Sequence, residues 1–184
     1  DYHEIHIMFQ ANPDGRKEAE SGLSWRKNTN ENYCGVTSTN RGADLNRNFN
    51  YQWGGAGSSS NPCDATYRGP AADSEPETRA IRDYMLSLFP DQRDSGAAPL
   101  DATGVFVDLH SYGGDVLWPW SYTSGTTPND AQLQTLGRKL AYFNNYLPGQ
   151  TGQDLYLCSG VTTDLAYGQL DVAAYTIEMG TAFF

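Results

Sequence analysis

The chain has three histidines, and His110 is the one placed where chemistry is expected. It closes the run Val105-Phe-Val-Asp-Leu-His110 and is followed by Ser-Tyr-Gly-Gly. An apolar, β-branched run that stops at a polar residue and then glycine marks the C-terminal end of a sheet strand. Such ends are where α/β proteins keep ligands and catalysis. Glu178 repeats the pattern, with Val172-Ala-Ala-Tyr-Thr-Ile177 before it and Met-Gly after it. Parallel strands would bring His110 and Glu178 to one sheet edge. A carboxyl group buried among Tyr175, Ile177 and Met179 is expected to have a raised pKa, as a general base requires. A strand-end acid in solvent or paired with an arginine stays open as the alternative.

Asp44-Leu-Asn-Arg-Asn-Phe49 is the second unusual cluster. Arg47 beside Asn46 sets a planar, bidentate cation next to an amide donor, a combination suited to a carboxylate. Arg26, next to Trp25, is a second cation, suited to a developing oxyanion. Taken singly, each arginine reads better as a surface salt-bridge partner. Asp108, His110 and Ser111 invite a serine-hydrolase reading. Adjacent strand residues face opposite sides, however, and there is no G-x-S-x-G elbow. His3 and His6 lack any H-x-x-E or H-E-x-x-H context and read as strand histidines.

These residues need elements to hold them. Tyr2, Glu4 and His6 alternate with His3, Ile5, Ile7 and Phe9, which predicts a β-strand at the start of the chain. Asn12-Pro-Asp-Gly15 predicts a reversal. Cys34 to Arg68 is rich in Gly, Ser, Asn and Tyr and predicts a long functional loop. Ser74 with Glu77 predicts a capping box, opening a helix whose apolar face is Ile81, Tyr84, Met85, Leu88 and Phe89 and which ends at Pro90. A second helix starts at Asp130, with Leu133, Leu136, Leu140 and Phe143 on one face, and ends at Pro148-Gly149. Asp154 to Cys158 predicts a short strand or strand-like loop, and Thr163 to Leu170 a helical turn. The order β, loop, α, β, α, β indicates an α/β fold with a largely parallel sheet.

A chain of 184 residues is long enough for one domain with a full core. The net charge of −10 argues against nucleic acid and anionic membranes as partners, since both require clustered Lys and Arg. No apolar run reaches the length of a membrane span. Cys34 and Cys63 lie in polar loop sequence that a disulfide could staple, whereas Cys158 sits in Leu155-Tyr-Leu-Cys158 and reads as a small buried hydrophobe. One disulfide and one free thiol would point to an oxidising compartment.

N-P-D-G, W-R-K-N, D-L-N-R-N-F, N-P-C-D-A-T-Y-R-G-P, S-E-P-E-T, D-L-H-S-Y-G and T-I-E-M-G occur in that order. This series resembles the zinc metallocarboxypeptidases of the carboxypeptidase A/B family, from about Glu4 to Glu178. The resemblance implies a doubly wound α/β fold around a mixed, largely parallel sheet with helices on both faces. It implies hydrolysis of single residues from peptide and protein C-termini by a zinc-activated water. By position, His110 looks like a zinc ligand and Glu178 like the general base. Arg26 resembles the arginine that polarises the scissile carbonyl. Asn46 and Arg47 resemble the pair that clamps the terminal carboxylate, and Tyr156 resembles the mobile tyrosine that closes over substrate. Ser111 and Tyr112 would line subsites upstream of the scissile bond. Cys34 and Cys63 match the family's disulfide. Thr163 aligns with the specificity position, with Val161, Gly168 and Ser121 nearby; Asp164 falls outside the pocket floor. The absence of an acid there implies neutral or hydrophobic C-terminal residues. The family's H-x-x-E ligands have no counterpart here, so residues 1–184 correspond to a central fragment of the catalytic domain, with the remaining ligands of the single Zn2+ expected outside it. The resemblance further implies a secreted or periplasmic monomer. A zinc-free module that binds peptide C-termini, or a relative acting on cell-wall peptides or modified glutamate chains, are the alternatives.

Overall fold

The computed structural model describes residues 3–93 and 96–182. Its centre is a four-stranded sheet in the order β1-β4-β2-β3, built from β1 (Val105–His110), β2 (Asp115–Trp118), β3 (Leu147–Gln150) and β4 (Ala173–Glu178). β1 runs parallel to β4 and β2 parallel to β3, while β2 and β4 are antiparallel. The mixed, mainly parallel sheet expected from the sequence is therefore present.

Register decides which side chains share a face. His110 pairs with Glu178, Glu178 with Asp115, and Asp115 with Leu147. Asp108 pairs with Thr176, Thr176 with Leu117, and Leu117 with Gly149. Because neighbouring residues in register lie on one side of a sheet, these form two cross-strand rows on a single face. The intervening residues, among them Val116, Trp118, Tyr175 and Ile177, face the other way.

Each face has its helix. α3 (Asp130–Tyr142) covers the Trp118 and Tyr175 side. Tyr175 Oη donates to Leu133 O at 2.9 Å. A methyl group at Gly137 would lie 2.7 Å from the Trp118 ring, so glycine permits this close approach. α4 (Thr162–Leu170) lies against the Asp108 side, where Thr162 Oγ1 donates to Asp108. Leu165, Ala166, Tyr167, Val172, Ala174 and Phe49 close the core there. α2 (Pro76–Leu88) packs outside α4 and buries Met85.

The irregular stretch before α2 is held by buried polar groups. Glu75 is fully buried and accepts from Asn28, Asn30, Tyr33 and Ser74. Burial works to raise its pKa, but these donors outweigh it and hold the carboxylate below its ordinary value. Lys27 is buried too and donates to Pro62 O and Asp64 O. The Cys34–Cys63 disulfide closes the same region, as expected, and Cys158 is a buried free thiol.

Several local expectations are corrected. Residues 3–9 form no strand; Ile5, Ile7 and Phe9 are exposed, since alternation makes a strand only where a neighbouring edge accepts it. Tyr2 lies outside the described residues. Asn12-Pro-Asp-Gly15 is not a reversal but the start of α1 (Pro13–Glu20): Asn12 caps Gly15 N and Pro13 occupies the first turn. α2 has Glu75 rather than Ser74 at its N-cap, without a side-chain cap bond, because Ser74 Oγ donates to Glu75 Oε1 instead. α3 ends at Tyr142, leaving Phe143 exposed, and Leu147–Gln150 is strand β3 rather than the helix end. Pro148 is tolerated there because β3 is an edge strand. Of the stretch Asp154 to Cys158, expected as a short strand or strand-like loop, Asp154 and Leu155 end the single π-helical turn Thr151–Leu155, while Tyr156, extended, and the residues after it form an irregular loop. The turn at Thr163 to Leu170 is the full helix α4. Among the described residues no helix is long and apolar enough to cross a membrane.

Candidate active site

A cleft of about 230 Å³ opens on the face carrying the two cross-strand rows. Every residue singled out from the sequence for catalysis, metal or substrate lines it: Arg26, Asn46, Arg47, His110, Ser111, Tyr112, Tyr156, Thr163 and Glu178. They come from six separate stretches, which the fold alone assembles. Gly168 does not belong with them. A methyl group there would sit 2.2 Å from the Tyr51 ring, so this glycine lets α4 pack on Tyr51.

One end of the cleft is organised by Asp44. Its carboxylate caps the one-turn 3₁₀ helix Leu45–Arg47 by accepting from Asn46 N at 3.1 Å. Its other oxygen accepts from Arg26 Nε at 2.8 Å, with Asp44 buried and Arg26 half-exposed. Burial works against the Arg26 charge, and Asp44 more than restores it. Arg47 is buried, donating Nε to Gly57 O and Nη1 to Asn46 O. Asn46 Oδ1 accepts from Thr162 N, which leaves its NH2 turned toward His110.

His110 and Glu178 stand side by side at the ends of β1 and β4, as their strand-end positions predict. Glu178 is half-buried rather than enclosed. Desolvation still raises its pKa above the ordinary carboxylate value, against the opposing charges of His110 and Arg26. His110 Nε2 lies 3.0 Å from Asp108 Oδ2. Burial works to lower the His110 pKa, but the Asp108 bond and charge win and raise it. Burial likewise works to raise the Asp108 pKa, and His110 more than offsets that.

Around Thr163 the lining is uncharged, with Leu117, Ser121, Cys158, Val161 and Thr176, while the Asp115 carboxyl group lines the cleft beside Glu178. Asp164 lies outside it, fully buried, accepting from Ser121 N and Tyr122 N. Tyr156 is about half-exposed at the rim, directly after the π-helical turn. Ser111 and Tyr112 form the exposed lip after β1. Sequence reasoning did not single out Asp44, Thr162 or Cys158. Asp108 had a usable signal, since it stands two residues before His110 and hence on the same strand face.

A family model described as zinc carboxypeptidase (peptidase M14) matches residues 1–183. The chain belongs to the zinc carboxypeptidase family. Mast cell carboxypeptidase A of Rattus norvegicus is 34% identical over 149 residues, covering 78% of this chain and 33% of that protein. Carboxypeptidase B of Bos taurus is 34% identical over 161 residues, covering 84% of this chain and 35% of that protein. Among solved structures, carboxypeptidase A from Helicoverpa armigera superposes with a TM-score of 0.75 at 29% identity, over 95% of this chain and 42% of that one. The chain thus spans about a third to just over half the length of the curated relatives it matches. Carboxypeptidase, peptide hydrolase and metalloprotease are accordingly the terms that describe its family.

Catalytic zinc sites take three protein ligands. His110 offers one nitrogen, Nδ1, but no group of three or more His, Cys, Asp or Glu among the described residues could hold a metal. These residues alone do not fit a zinc carboxypeptidase's ion.

Proposed function

We propose that this chain carries the substrate-handling part of a carboxypeptidase cleft, which removes single residues from peptide C-termini. The observation that supports this most is the pairing, in one cleft, of the Asn46–Arg47 cluster with Glu178 and Arg26. Arg47 and the Asn46 amide hold the terminal carboxylate; an internal peptide bond offers none, which selects an exopeptidase. Arg26, braced by Asp44, faces the scissile carbonyl and stabilises the oxyanion that develops there. Glu178, with its raised pKa, takes the proton of the attacking water and returns it to the leaving amine. Tyr156, on the rim after a π-helical turn, closes over the bound residue. Ser111 and Tyr112 contact the residues upstream of the bond. The uncharged floor around Thr163 favours a neutral or hydrophobic C-terminal side chain.

His110 is proposed as a zinc ligand in the intact protein, with its partners outside the residues described. The disulfide supports folding in an oxidising compartment, consistent with a secreted or periplasmic protein.

The test is stepwise digestion of a free-acid peptide by the purified protein, followed by mass spectrometry. The reading expects residues lost one at a time from the C-terminus, protection by C-terminal amidation, and loss of turnover on adding a metal chelator. Carboxylate-dependent binding without any cleavage would favour the zinc-free binding module instead. Cleavage confined to cell-wall peptides or glutamate chains would favour the specialised relative. Internal cleavage of amidated peptides would defeat the reading.

A further inference from the structure

Asp115 opens β2 and lines the cleft beside Glu178, its neighbour in register. Other ionisable groups of the lining are braced by the protein: Arg26 by Asp44, Arg47 by Gly57 O and Asn46 O, and His110 by Asp108. Among the described residues nothing donates to the Asp115 carboxylate or forms an ion pair with it. Asp115 is half-buried, and burial alone raises its pKa. A partly desolvated carboxylate without a partner is costly, which makes sense where a ligand supplies the partner. Glu178 also lacks a hydrogen-bond donor, but the attacking water accounts for it. No proposed step accounts for Asp115.

The surroundings of Asp115 indicate what that ligand group is. A side pocket of about 270 Å³ adjoins the cleft, and Asp115, Leu117 and Leu155 line both. Leu147 and Pro148 add to its apolar wall, and Leu147 and Leu155 are exposed there. Asp154, whose Oδ2 accepts from Gln150 N at 2.7 Å, also lines it. An apolar slot with a carboxylate at its mouth suits a side chain with an aliphatic stem and a cationic tip, as in lysine and arginine. Position selects which substrate residue carries it. Asp115 stands in the cross-strand row of His110 and Glu178, two strand spacings or about 10 Å from His110. Thr176 and Leu117, beside the uncharged lining around Thr163, belong to the other row. A methyl group at Gly113, directly after the Ser111–Tyr112 lip, would lie 2.4 Å from Asp115 Oδ2. Asp115 thus borders the lip that contacts residues upstream of the scissile bond, not the pocket of the C-terminal side chain.

We propose that Asp115 is a specificity-determining residue that pairs with a lysine or arginine side chain on the penultimate residue of the substrate, the stem of that side chain lying against Leu117, Leu147 and Leu155. The cleft then reads two substrate charges: a terminal carboxylate at Asn46 and Arg47, and a cation at Asp115. The last side chain stays neutral or hydrophobic, because the lining around Thr163 is separate. This inference rests on the carboxypeptidase reading above, which supplies the direction of the bound chain.

The test is equilibrium binding of N-acetylated peptides ending in Lys-Phe, norleucine-Phe or Glu-Phe, each as free acid and as amide. Norleucine keeps the lysine stem and lacks the charge. Wild-type protein is expected to bind the Lys-Phe acid about tenfold more tightly than the norleucine-Phe acid, the worth of one hydrogen bond between charged groups, and the Glu-Phe acid most weakly. High salt is expected to shrink the lysine preference, since the pair is partly open to solvent. D115N is expected to bring the Lys:norleucine ratio close to one. A wild-type ratio near one, or a D115N ratio unchanged from wild type, overturns the inference. So does a larger gain when lysine is moved to the last position. Should D115N fail to fold, the wild-type ratio and its salt dependence decide. The carboxypeptidase reading fails by a different result, equal binding of acid and amide; the Lys:norleucine ratio, read within either form, then still judges Asp115. No detectable binding of any of these peptides overturns both.

Discussion

Asp44 carries more of the site than its size suggests, and D44A shows how much. The substitution removes two interactions: the cap on Asn46 N at 3.1 Å and the bond from Arg26 Nε at 2.8 Å. A lost N-cap costs about 1 kcal/mol. A hydrogen bond to a charged group is worth roughly 1.5–3 kcal/mol, but Arg26 is 46% exposed, so solvent screening reduces it to about 1 kcal/mol. The sum is about 2 kcal/mol. At roughly 2.1 cal/mol/K of unfolding entropy per residue, that lowers Tm by about 5 °C for a chain of 184 residues. If Arg26 faces the scissile carbonyl as proposed, an unbraced Arg26 should cost the intact enzyme about a hundredfold in kcat/KM, the scale of a missing oxyanion donor. D44N keeps one acceptor oxygen and recovers part of each loss. Urea unfolding and kcat/KM on a free-acid peptide are the assays. A D44A protein with unchanged midpoint and unchanged kcat/KM would refute the role given to Asp44.

Other outcomes follow from the same structure. Reducing Cys34–Cys63 opens a loop with a sequence separation of 29, which should cost about 3.5 kcal/mol and lower Tm by about 9 °C; a Tm insensitive to reductant would contradict this. G168A places a methyl group 2.2 Å from the Tyr51 ring, so at least about 1–3 kcal/mol of overpacking should appear as a lower urea midpoint, and an unchanged midpoint would mean Tyr51 moves aside freely. Burial raises Asp164 to about 7, against the Ser121 and Tyr122 N–H donors. The folded state therefore binds this proton more tightly than the unfolded chain does. The contribution is fully present below about pH 3.9, the unfolded value, and is lost as pH rises through about 7. D164N does not titrate, so its Tm deficit against wild type should be largest in acid and shrink by pH 8; a constant deficit would count against the raised pKa.

The strand ends were legible because an apolar run closed by a polar residue is a local signal: Val105–His110 and Ala173–Glu178 each end on one, although Val105, Val107 and Leu109 are exposed. What the sequence hid was whatever a neighbour decides. The alternation of residues 3–9 looks like a strand, yet backbone groups stay unpaired without an edge to join. Asn12-Pro-Asp-Gly15 fits a turn and a helix start equally well, since proline suits both and asparagine caps helices. Pro148-Gly149 reads as a stop until β2 is seen to pair with it. At the site, composition and order pointed to Arg26, Asn46, Arg47, His110 and Glu178, but not to what braces them. Asp44 and Thr162 are common residues in common contexts, and their importance lies in contacts 18 and 54 positions away along the chain.

The central claim, that the cleft is built around a free C-terminal carboxylate, is tested most directly by equilibrium binding of one blocked peptide in two forms, free acid and amide. Arg47 and Asn46 both line the cleft; if both engage the carboxylate as proposed, the acid should bind about a hundredfold more tightly, the worth of two charge-assisted hydrogen bonds at the low end of their range. Equal affinity for the two forms would contradict the account.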